Sequence, residues 1–104
     1  MLQKEHDESV KQSIDHDDRI RSDLKNLTEI FIEKQINDYR WEIIDLSNRV
    51  ANGETCNKDS YRHCFATYEQ YEKLLEENNR ENGEVKISME IINESYKQKL
   101  KQGF

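Results

Sequence analysis

The sequence predicts an all-α protein, and three observations predict it. There is no proline and there are only three glycines in 104 residues, too few for a β-sandwich, which needs Gly/Pro-rich turns about every 8–12 residues. Apolar residues recur at spacings of 3 and 4 along most of the chain, the period of a helix face. Charged residues (37%) outnumber hydrophobic ones (34%), where an average domain carries about 45–50% apolar residues. The length holds one domain, and its core must be thin. Thinness of this kind also fits disorder, but the sustained periodicity over residues 24–101 argues against it there. The expected architecture is a long N-terminal helix, continuous or broken near 26–32, packed with two shorter antiparallel helices. Together they make a helical bundle with a coiled-coil-like arm.

The first 23 residues are a polar arm, with five apolar residues (Met1, Leu2, Val10, Ile14, Ile20) among seven acids and four bases. Composition leaves two states open for it, a coiled coil or partial disorder. Val10, Ile20, Leu24, Leu27 and Phe31 fit one heptad stripe, with polar Ser13 and Asp17 in two of its slots. Opposite charges at i,i+4 (Asp7–Lys11, Asp15–Arg19) support a helix.

A second stripe runs Ile32, Ile36, Tyr39, Ile43, Leu46 and Val50, again the seam pattern of packed helices. The two registers are out of phase and overlap at Ile30, Phe31 and Ile32. The buried face therefore swings round there, or the helix bends, with Asn26–Thr28 the expected place for a break. Gly53 after Asn52 is a stop signal.

Asn57 is the expected N-cap of the next helix, with Asp59 in its first turn. Its stripe is Tyr61, Cys64, Phe65, Tyr68, Tyr71 and Leu75. The run Asn78–Gly83 ends it, and Asn82-Gly83 is the strongest turn signal in the chain. A last helix is expected from about Lys86 or Ser88 on the count of Val85, Met89, Ile92, Tyr96 and Leu100, with Ile91 widening the face. Gln102-Gly103-Phe104 should fray. Residues 24–104 are thus read as a three-helix bundle core.

Length then argues for self-association. A helix over residues 5–51 is about 70 Å long, while helices over 57–78 and the C-terminal segment cover roughly 33 and 22 Å. The short helices can cover the Ile32–Val50 seam, and they cannot also cover Val10–Phe31. That arm must fray, fold back or pair with copies of itself, and its heptad pattern favours a homo-oligomer.

The net charge of −6 argues against general nucleic-acid binding, which relies on Lys and Arg neutralising phosphates. The basic end (Lys86, Lys97, Lys99, Lys101) suits a helix C-terminus. Cys56 and Cys64 make no disulfide framework and read as free thiols in a reducing compartment. No signal-peptide pattern and no apolar run of about 18 residues is present, so the expected location is soluble and intracellular, with no membrane partner.

Catalytic sets are missing from the sequence. The histidines His6 and His16 and the run Asp15-His16-Asp17-Asp18 have no second His or Cys at i,i+3 or i,i+4 and no Glu-x-x-His pair, so no metal and no cofactor is expected. His63 and Cys64 are neighbours and diverge by about 100° on a helix, which separates a nucleophile from its base. There is no phosphate loop, nucleophile elbow or zinc-spaced cysteine set. Trp41 stands off the second stripe beside Arg40, and the pair is a candidate interface anchor, with simple packing on a neighbouring helix as the other reading.

The segment Tyr68-Glu69-Gln70-Tyr71-Glu72-Lys73-Leu74-Leu75, followed by Asn82-Gly83 and a closing helix, resembles small helical proteins of phages of Gram-positive bacteria. The resemblance spans about residues 36–100 by pattern, and it departs at Arg80-Glu81, where that family's pattern favours Gly-Gly before Asn-Gly. It implies a phage-encoded accessory or structural protein, made in the host cytoplasm and carried in the virion or used in its assembly. It brings no catalytic residue. The alternative expectation is an inhibitor of a host defence or regulatory protein, acting as an acidic nucleic-acid mimic or by sequestering a small nucleotide.

Overall fold

The computed structural model describes residues 2–83 and 85–104, with side chains from His16 onward. Its helices are α1 (Leu2–Ala51), α2 (Lys58–Glu77) and α3 (Val85–Gln102), and no strand occurs among the described residues. The interface candidates Val10 and Ile14 lie outside the described side chains, as does His6. The chain divides into two compact units, Met1–Lys34 and Gln35–Phe104.

The first unit is a single stretch of α1. The helix runs unbroken through 26–32, which corrects the expected option of a break. Thr28 Oγ1 donates to the Leu24 carbonyl at 2.8 Å. A hydroxyl bonded back one turn is satisfied within the helix and bends it at most. Leu24, Leu27 and Phe31, expected in the core or in an oligomer seam, are 63%, 63% and 66% exposed, so they lie outside the chain's own core. Ile32 is half-buried.

The second unit is an up-down-up bundle of residues 35–51 of α1 with α2 and α3. Ile36, Ile43 and Leu46 from α1, Tyr61, Cys64, Tyr71 and Leu75 from α2, and Val85, Met89 and Ile92 from α3 are its buried apolar side chains, joined by Cys56 from the connection. Tyr39, Val50, Phe65 and Tyr68, also expected there, are half-buried at its edge. The aromatic side chains close one end: Phe65 meets Tyr96 edge-on at 5.0 Å, and Phe104 packs against both Tyr61 and Tyr96 at 5.7 and 5.8 Å. Phe104 thus makes ring contacts with the bundle although it, like Leu100 of the expected apolar face, is 52% exposed.

The end of α1 and both ends of α2 are chemically closed. Asn57, in extended geometry, accepts from the Ser60 backbone N–H at 2.8 Å and starts α2. At the end of α1, Gly53 (φ 78°) donates to Val50 O and Glu54 to Arg49 O, a Schellman motif that satisfies carbonyls left over by the last turn. The end of α2 repeats it with Asn79 (φ 54°) in the left-handed position: Asn79 donates to Glu76 O and Arg80 to Leu75 O. Helix α3 begins at Val85, slightly ahead of the expected Lys86 or Ser88.

Candidate functional site

Three groups of side chains could carry function, one in the first unit and two in the second. The first is the row Ile20, Leu24, Leu27 and Phe31, with exposures of 52%, 63%, 63% and 66%. Ile30 beside it is 65% exposed. Isolated exposed leucines need no explanation, but a contiguous apolar row at heptad spacing does. Sequence spacing located this row, and the helix lengths already left it beyond the reach of the two short helices.

The second group is a polar chain that ties the α2–α3 turn to the bundle. Arg40 Nε donates to Tyr71 Oη at 2.9 Å, and Tyr71 Oη donates to the Asn82 carbonyl at 2.7 Å. Asn82 Nδ2 in turn donates to Tyr68 Oη at 2.8 Å. The Arg40 guanidinium carbon also lies 5.8 Å from the centre of the Tyr71 ring. Tyr71 is fully buried, so its hydroxyl needs these partners. Burial pushes the Tyr68 phenol above its usual range and Glu72 adds to this, against the hydrogen bond from Asn82. Arg40 is thus half-buried and engaged with Tyr71, which gives it a part in the bundle beside its expected place next to Trp41. A helix turns about 100° per residue, so Arg40 can face inward while Trp41 stays 69% exposed. That exposure also excludes packing of Trp41 on a neighbouring helix of the bundle. Asn82 was legible only as a turn residue; its side-chain link to Tyr68 depends on how the turn folds back.

The third group lines a cavity of about 210 Å³ between α1 and α2, with Glu42, Asp45, Arg49, His63 and Cys64 among its walls. His63 Nε2 hydrogen-bonds Glu42 Oε1 across the two helices. Arg49 pairs with Asp45 at 3.2 Å on the surface. Burial, with the Glu42 charge as a smaller cause, pushes the Cys64 thiol up to about 11. A thiol held in its protonated form is the opposite of an activated nucleophile. Both cysteines are free and buried.

No group of three or more His, Cys, Asp or Glu side chains gathers among the described residues. No helix among them is long and apolar enough to cross a membrane. No protein-family profile matches the chain, and no curated protein and no solved structure is significantly similar to it.

Proposed function

We propose that this is a phage-encoded, non-enzymatic helical protein that assembles with itself through the first unit of α1 and acts through protein–protein contacts, in the virion or in its assembly. The observation that carries the reading is the exposed row Ile20, Leu24, Leu27 and Phe31 on a helix that is continuous from Leu2 to Ala51. Burying a leucine or phenylalanine completely contributes about 1.5–3 kcal/mol, so a second copy laid on this row gains from four large side chains on each side. Association and side-chain ordering offset much of that gain, so the assembly is concentration-dependent. The protonated Cys64 thiol and the engagement of His63 with Glu42 support the non-enzymatic part.

Sedimentation equilibrium across a concentration series tests the reading. Mass rising above the monomer by tens of micromolar is expected, and a strict monomer there sinks it. The net charge of −6 favours one second reading, an inhibitor of a host nucleic-acid-binding protein. Pull-down separates the two: phage structural proteins support assembly, and a host nuclease or polymerase supports inhibition.

A further inference from the structure

Resting on the self-association proposed above, we infer that two copies pair antiparallel along α1, with Asp17 of each chain facing the partner's Lys34. The row Asp17, Ile20, Leu24, Leu27, Phe31 and Lys34 follows heptad spacings of 3 and 4 without a gap. All six side chains are exposed, and all six belong to the first unit. Read from either end, the row is one charge, four large apolar residues and one charge, and the two end charges are opposite in sign.

Orientation follows from trying each alignment. A parallel, in-register pair sets Asp17 against the partner's Asp17 and Lys34 against the partner's Lys34, two like-charge contacts in the seam. A parallel pair staggered by one heptad sets Asp17 against the partner's Leu24, and Leu27 against the partner's Lys34. An antiparallel pair centred between Lys25 and Asn26 sets Leu24 against the partner's Leu27 and Ile20 against the partner's Phe31. Every apolar residue of the row then covers an apolar one. The ends close with Asp17 against the partner's Lys34, and two-fold symmetry makes that contact twice. Sliding this arrangement by one heptad either way puts a charge against leucine. One register alone satisfies both rules.

Neither Asp17 nor Lys34 takes part in an ion pair among the described residues. Both are free to pair across copies, and charges flanking a helical seam set its orientation.

Charge exchange tests the orientation, with D17K, K34E and D17K/K34E compared with the unaltered chain by sedimentation equilibrium at low salt. Both positions are exposed, so helical content and the bundle's melt should be unchanged. Each single variant is expected to weaken association by at least about tenfold, because an attraction made twice becomes a repulsion. The double variant is expected to recover it. Single variants that associate like the unaltered chain indicate parallel pairing and overturn the inference while leaving self-association intact. A double variant as weak as the singles overturns it as well. An unaltered chain that stays monomeric removes the inference together with the reading on which it rests.

Discussion

Residues 16–34 and 35–51 lie on the same helix and carry the same kind of apolar spacing, yet their side chains meet opposite surroundings. Leu24, Leu27 and Phe31 are 63–66% exposed, whereas Ile36, Ile43 and Leu46 are 0–7% exposed. Nothing in the residue types separates them, since both rows are large aliphatics with one aromatic at 3–4 spacing. The difference is the presence of α2 and α3, whose buried faces close over the second row within the chain. Periodicity therefore reports that a face is to be covered and stays silent about what covers it.

The sharpest way to break this contrast is to place one charge in each row. Ile43→Asp puts an unpaired carboxylate where nothing is exposed, and should cost more than about 3 kcal/mol and abolish the cooperative melt of residues 35–104. A variant that still melts cooperatively at the original temperature would remove Ile43 from the core.

A smaller effect comes from Cys64, whose folded thiol titrates near 11 against an ordinary 9.0. The folded state holds this proton more tightly than the unfolded state does. The resulting stability is complete below about pH 9 and is lost as pH rises through about 11, an effect on the order of 2 kcal/mol. Urea melts from pH 8 to 11 should show the decline, and Cys64→Ala should make it shallower, leaving the part that the raised Tyr68 phenol contributes. Tyr71→Phe removes the hydroxyl between Arg40 and Asn82 and should cost about 1–2 kcal/mol by leaving buried groups unpaired. Thermal melts with and without Arg40→Met, as a double-mutant cycle, would show whether the two residues act as one unit.

Asn57→Ala removes the cap on α2 and should cost about 1 kcal/mol in the same melt. The smallest effect on folding belongs to the other row. Leu24→Asp should change the bundle's stability by no more than about 0.5 kcal/mol, because the side chain is 63% exposed. Its association, read by sedimentation, should fall instead. A large loss of bundle stability in Leu24→Asp would show that both rows serve one core.

Much of the second unit was legible from residues alone. Asn57 as cap, Gly53 as stop and the stripe Tyr61–Leu75 are local signals, set by backbone geometry and helical period. Less legible was where the core begins. The out-of-phase overlap at Ile30–Ile32 reads equally as a bend or as a change of face; α1 is helical throughout it, with Phe31 exposed and Ile32 half-buried. Arg40 and Trp41 looked like one surface pair because they are adjacent in sequence. Tyr71 recruits Arg40 through a contact 31 residues away, which no local pattern encodes. Nothing local to Phe104 signals that its ring meets Tyr61 and Tyr96.

The sequence by itself determined that the chain is helical, where its helices stop and which faces are apolar, because caps, turns and periodicity act over a few residues. Helix lengths also implied that one apolar row would be left over. Only the tertiary structure decided where the covered row begins, which side chains fill it and which polar groups tie it together, because those depend on the phase at which α2 and α3 meet residues 35–51 of α1. That packing left the row from Ile20 to Phe31 exposed, with opposite charges at Asp17 and Lys34 on either side.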